Sequence, residues 1–190
     1  MVKQKPVQHF GAPRPESNQS KRCPNRHYCA GEIPNQTLTL SLFLEEELKT
    51  KGEPITRKNL QDLGNLWRTK KRSGVLARKA LESINKDEKI VVDGIRNIGE
   101  IEYFKKNSDF KLIGILANRN IRLERLQIVK RREELTRQLF DKLDYRDLGV
   151  GEKETGLQVA VCLSISDYFI LNNNTKKEFE KQLKEVLIKL

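Results

Sequence analysis

The chain has 190 residues, which suits one domain with a sizeable core, and its 37% apolar and 33% charged residues describe a folding protein with a heavily charged surface. A formal charge of +11 points to anionic partners, whether nucleotides, nucleic acid or an acidic membrane face, and composition does not choose among them. The longest apolar run, near Leu40 to Leu44, is far too short to cross a bilayer, the N-terminus lacks the apolar stretch of a signal peptide, and the three cysteines have no framework spacing; a cytoplasmic location, reduced thiols and no membrane partner are the expectation.

Residues 1–36 stand apart. They hold five of the six prolines, both histidines and two of the three cysteines, and beyond a weak Val7 to Phe10 they show no helical or strand period, so most of the segment reads as irregular or disordered. His9, Cys23, His27 and Cys29 invite a zinc reading, but the intervening spacing of five residues is not the usual ligand pattern, and no metal is expected. Leu38 to Leu44 starts as a strand and Glu45 to Leu48 suits a short helix ending near Gly52. Thr56 then caps a helix with Leu60, Leu63 and Trp67 on one face, Gly74 interrupts it, and Val75 to Ile84 is the next helix.

The stretch Lys89 to Asn97 is the centre of the chain. An apolar run ends abruptly at Asp93, Gly94 and Arg96, as a buried parallel strand does when it delivers polar groups to its carboxyl end, where open α/β sheets bind ligands. Ile98, Ile101 and Phe104 then recur at helical spacing, and Phe110 to Ala117 is a second strand. Asn120 to Lys142 is a long basic helical stretch broken once, Gly149 and Gly151 mark a loop, and Val159 to Ile165 is helical. Tyr168 to Leu171 is a third strand, and Thr175 caps a final helix carrying Phe179, Leu183, Val186 and Leu190. Strands alternating with helices predict an α/β fold with a parallel sheet covered on both faces.

Five motifs occur in a familiar order. Val91-Val92-Asp93-Gly94-Ile95-Arg96-Asn97, the strand Leu112 to Leu116 followed by Ile121 to Leu126, Asp144-Tyr145-Arg146-Asp147-Leu148-Gly149, Ser166 to Asn172, and the upstream Ile55 to Asn65 with Gly74 to Ala77 together resemble the P-loop nucleotide kinases, in their adenylate kinase-like and dephospho-coenzyme A kinase-like branch. The resemblance implies a three-layer fold over residues 37–190, with a five-stranded parallel sheet, a helical substrate insert over about 41–88 and a basic lid over about 119–150. It implies MgATP as cofactor and a nucleotide or related phosphorylated small molecule as acceptor. By position, Asp93 would help hold Mg²⁺ through water. Ser41, Arg68 and Arg96 would face the acceptor, and Arg122, Arg131, Arg132 and Arg146 would neutralise the transferring phosphoryl group.

One part of that pattern is missing. Phe10-Gly11-Ala12-Pro13 begins like a phosphate-binding loop, but the following Arg14 to Gln19 supplies no second glycine and no lysine at the required spacing, which leaves Gly11, Ala12 and Pro13 as a remnant and the first strand degenerate. Reading the codons one base out of register after Pro13 permits Gly-Ala-Pro-small-small-Gly-Lys-Gln-Ser, a well-formed loop; a shifted N-terminus and true divergence with loss of ATP binding both remain open. The competing function is a non-catalytic basic module that binds nucleic acid or a protein partner through the Arg119 to Arg137 surface. Aromatics, at 6%, do not interleave with those basic residues as a stacking platform would require.

Overall fold

Parallel strands cannot be joined by a tight turn, so the chain has to return through helices between them. A computed structural model, which describes residues 37–84, 89–129 and 132–190, shows this arrangement twice. Strand β1 (Thr37–Thr39) pairs with β2 (Val91–Asp93), placing Thr37 beside Val91 and Thr39 beside Asp93. Strand β3 (Ile113–Leu116) pairs with β4 (Tyr168–Leu171), from Ile113 beside Tyr168 to Leu116 beside Leu171. Helices α1 (Ser41–Thr50), α2 (Arg57–Lys71) and α3 (Val75–Glu82) connect the first pair, and α4 (Ile98–Asn107) leads to β3. Helices α5 (Arg119–Val129), α6 (Arg137–Leu148) and α7 (Val159–Ser164) connect the second pair, and α8 (Lys176–Leu187) follows β4. The protein is therefore α/β, with helices and short parallel sheets.

Helix starts follow local chemistry. The Thr56 hydroxyl accepts the Asn59 N–H at 3.1 Å and the Thr175 hydroxyl accepts the Glu178 N–H at 3.3 Å, as the sequence predicts. Each such cap contributes about 1 kcal/mol. Gly149 and Gly151 both adopt positive φ in the expected loop.

Two strand expectations change. The Leu38 to Leu44 strand is reduced to Thr37–Thr39, and the chain turns at Leu40 into α1. Leu40, Leu44 and Leu48 recur every four residues, and all three are buried in the main core, so the helical period wins over a short apolar run that either structure could hold. The β2 strand is half-buried rather than buried on both faces. Among the described residues it has a neighbour on one edge only.

The main core is made by the helices between β1 and β2. Leu60, Leu63 and Trp67 of α2 meet the α1 leucines, Val75, Leu76, Ala77 and Ala80 of α3, and Phe104 of α4. Each large apolar side chain so buried contributes roughly 1.5–3 kcal/mol. The turn before α3 and the start of α4 approach so closely that a Cβ on Gly99 would lie 2.1 Å from Ser73 Oγ and 3.0 Å from the Ser73 carbonyl carbon. That contact fixes α4, and with it the turn that leads out of β2. A smaller cluster of Ile170, Phe179 and Val186 pins α8 to β4. Cys162 is free and buried beside Ile101 and Leu112, as its apolar surroundings in the sequence suggest. No described helix is long and apolar enough to cross a membrane.

Candidate functional site

The carboxyl end of β2 is where polar groups gather. After Asp93 the chain needs a left-handed residue to turn out of the strand, and Gly94 supplies it with φ +89°. The Asp93 carbonyl accepts the Leu40 N–H at 2.9 Å, so the start of α1 lies against this turn. Asn97 then caps α4 by accepting the Gly99 N–H at 2.8 Å. Glu100 completes a capping box, receiving the Asn97 N–H at 3.2 Å and the Arg96 N–H at 2.8 Å. The other oxygen of Glu100 accepts Arg68 Nε at 3.0 Å, and the two side chains are 0% and 2% exposed. One buried carboxylate thus ties α2, α4 and the β2 turn together.

This turn opens onto a cleft that residues of α1 and α2 also line. Arg57, Arg68, Arg96 and Arg132 line it together with Ser41 and Gly94. Arg57, the first residue of α2, and Arg96 both donate to Asp147 of α6, Arg96 to one carboxylate oxygen and Arg57 to the other. Gln61 steadies Asp147 with a further bond at 2.9 Å. Burial opposes the charged carboxylate, but the guanidiniums of Arg96 and Arg57 outweigh it and hold Asp147 well below the usual carboxylate range. Asp147, and behind it Asp93 and Glu100, in turn raises the Arg96 guanidinium against the effect of burial. Arg132 and the Ser41 hydroxyl share Glu45, at 2.9 and 3.3 Å. Arg57 Nη1 is buried and has no hydrogen-bond partner among the described residues.

Of the residues expected from the sequence, Ser41, Arg68, Arg96 and Arg132 line the same cleft, with Asp93 at the end of the strand that leads into it. Arg122 and Arg146 are not among the lining residues. Arg122 donates to Asp144 at 2.6 Å, beside Arg119 at 3.4 Å from the same oxygen. Arg146 reaches Asp62 at 2.6 Å and also Glu152, and touches the cleft through Gln61. Arg131 and the remnant Gly11, Ala12 and Pro13 lie outside the described residues, as do His9, Cys23, His27 and Cys29. Among the described residues no group of three or more His, Cys, Asp or Glu side chains is placed to hold a metal ion.

Sequence reading missed Arg57, Asp147, Glu45 and Glu100. Thr56 was legible as a cap, and a capped helix start that opens on arginine was the available signal for Arg57. Asp147 stands in a segment already singled out for Arg146. Asp144 and Asp147 are three residues apart and share one face of α6, each carrying two arginines.

Several archaeal proteins are similar to this chain, while no family model matches it. A UPF0200 protein of Thermoplasma volcanium is 30% identical over 145 residues, covering 76% of this chain and 78% of that protein. A UPF0200 protein of Sulfurisphaera tokodaii is 29% identical over 153 residues, 80% of this chain and 81% of its own length. A UPF0200/UPF0201 protein of Archaeoglobus fulgidus is 28% identical over 167 residues; the match takes in 85% of this chain but spans only 50% of that protein. With the Thermoplasma protein matched over more than two thirds of its length, the chain belongs to the UPF0200 family.

Proposed function

We propose that this protein is nucleotide-kinase-like, with a P-loop kinase-like fold built to move a phosphoryl group from MgATP to a nucleotide or related phosphorylated small molecule, and that the missing phosphate-binding loop leaves the chain as written without appreciable activity. The observation that carries the reading is the convergence of Arg57, Arg68, Arg96 and Arg132 on one cleft at the carboxyl end of a parallel strand. Arginine's planar fork matches phosphate oxygens, and an array fixed in advance stabilises phosphoryl charge without reorganising. The cleft arginines are fixed by buried carboxylates rather than left to solvent, and Arg57 Nη1 still lacks an acceptor. The fold part of the reading draws on the two parallel pairs, because one further strand between them would make a single five-stranded sheet.

The four cleft arginines support a phosphate-bearing acceptor by their charge and donor geometry. MgATP, when bound, supplies the phosphoryl group, and the residues that would hold it begin at Gly11, in the remnant loop. Arg96 and Arg57 would bind the acceptor phosphate, Arg68 would keep the β2 turn in place through Glu100, and Arg132 would carry positive charge across the cleft from Glu45. The alternative of a basic nucleic-acid module is weakened by pairing on the α5–α6 face. Arg119 and Arg137 meet Asp141 at 3.0 and 3.3 Å, and Arg122 is held by Asp144.

Calorimetric titration with MgATP tests the proposal on two versions of the protein, the chain as written and one read one base out of register from Pro13 and restored before Leu40. Loss of even two charge-assisted hydrogen bonds to the phosphates weakens binding by on the order of a hundredfold. The chain as written is expected to bind MgATP feebly and turn over negligibly, and the restored version to recover both. An inert restored version would overturn the kinase reading. Tight binding by the chain as written would show that groups other than a phosphate loop hold the nucleotide.

A further inference from the structure

Two of the cleft arginines, Arg57 and Arg96, come from different elements and end on the same carboxylate. Placed side by side without a counter-charge, two guanidiniums would repel and splay apart. We propose that Asp147 is a positioning residue: one oxygen holds Arg96, the other holds Arg57, and their remaining N–H groups form a two-arginine seat for a single phosphate-class anion. Each guanidinium has five N–H donors, so Asp147 occupies only part of each fork. Arg96 keeps 35% of its side chain exposed, and Arg57 and Arg96 both line the cleft. Asp147 itself is 10% exposed and is steadied by Gln61, whose amide also donates to the Leu143 carbonyl at 3.1 Å. A carboxylate held this way by its own helix and by a neighbouring amide stays with the arginines when an anion arrives. The inference deepens the reading of the cleft given above, but it requires no nucleotide and no phosphate loop.

Simple charge counting makes the opposite prediction, and that separates the two accounts. If Asp147 merely competes with anions, Asp147→Asn removes a negative charge and tightens anion binding. If Asp147 positions the pair, the same change turns an acceptor into an amide that faces guanidinium donors, and binding weakens. The probe is inorganic phosphate, titrated by calorimetry at low salt into the full chain. Asp147→Asn is expected to weaken phosphate at least about tenfold, the scale on which small misplacements act, with Asp147→Glu restoring most of the loss. Glu178→Gln, at the distant α8 cap, should cost stability without changing phosphate affinity. Equal or tighter phosphate binding by Asp147→Asn would overturn the proposal, as would an equal loss in Glu178→Gln or no phosphate binding by the unaltered chain. Should Asp147→Asn not fold, guanidinium NMR on the unaltered protein decides, because the Arg57 and Arg96 resonances must move together as phosphate is added. Movement of one alone, or of neither, sinks the two-arginine seat. Since MgATP is absent from every arm, these outcomes are independent of whether the kinase reading holds.

Discussion

At the end of β2, Arg68 and Glu100 are 2% and 0% exposed, whereas on the α5–α6 face Arg119 and Arg122 keep 29% and 33% of their side chains in solvent. Both regions join arginines to carboxylates, yet the physics differs. The buried pair has lost its water, so Glu100 must satisfy Arg68, the Arg96 N–H and the Asn97 N–H at once, and any missing partner leaves a bare charge. On the α5–α6 face Asp144 is itself buried at 8% side-chain exposure, but its two arginines stay partly in solvent, so water and salt stand in for part of what a lost arginine supplied. A buried ion pair is weak evidence for net stability, because its desolvation offsets its attraction. What it achieves here is placement, since Arg96 leaves the strand on a turn that Glu100 holds from beneath.

The largest effect should come from breaking the buried side. Glu100→Gln leaves Arg68 charged and without its counter-ion, and the new amide nitrogen faces backbone donors that had an acceptor. Chemical denaturation is expected to show a loss of about 3–5 kcal/mol. A loss below 1 kcal/mol would mean that water reaches this pair and would dissolve the contrast between the two regions.

Asp147 lies between the extremes. Its carboxyl is held below the usual range in the folded protein, so the folded state binds its proton more weakly than the unfolded chain. The stabilisation from this group is therefore present above the unfolded pKa of about 4 and is lost as pH falls below it, on the order of 2 kcal/mol for a carboxylate of this kind. Denaturation of the unaltered chain and of Asp147→Asn between roughly pH 6 and pH 2 should give curves that converge at the acid end. Parallel curves would show that Asp147 titrates normally and that the two guanidiniums do not act on it.

Cys162 shows the same dependence on surroundings without a partner. Burial, with Glu100 nearby, pushes its thiol up to about 11, so it stays protonated and unreactive while the fold persists.

How much of this was legible depends on the range of the signal. Thr56 and Thr175 announce helices because a cap acts over three residues, and the run ending at Asp93 announces a strand end because burial and polarity change within two. Leu38 to Leu44 was misread because a short, largely apolar run fits a strand or a helix, and the deciding fact, the burial of Leu44 and Leu48 against α2 and α3, lies elsewhere in the chain. Arg68, Arg96 and Arg132 were singled out by resemblance, whereas Arg57 and the carboxylate partners were not. Glu100 lies 32 residues from Arg68, Asp147 lies 51 from Arg96 and 90 from Arg57, and Glu45 lies 87 from Arg132. No local pattern encodes such pairs; they exist only once α1, α2, α4, α6 and the β2 turn have been brought together. The Asn97 capping box is an exception that could have been read, since Asn97 and Glu100 stand at the right spacing ahead of Ile101.

The smallest effect tests the exposed side. Arg122 donates to Asp144 at 2.6 Å, but Arg119 stands 3.4 Å from the same oxygen, so Arg122→Gln leaves Asp144 with a cation. Arg122 is also a third exposed, which lets water replace what is removed and lets salt screen what remains. The expected loss is below about 1 kcal/mol, and it should shrink further in 1 M salt, where the Debye length is only about 3 Å. The Glu100→Gln loss should persist in the same salt because no ions reach the buried pair. Denaturation of both variants at low and high salt therefore reads the difference directly. An Arg122→Gln loss of 3 kcal/mol or more, insensitive to salt, would show that the α5–α6 face is as desolvated as the cleft floor, and would make Arg122 part of the same fixed array rather than a solvated neighbour of it.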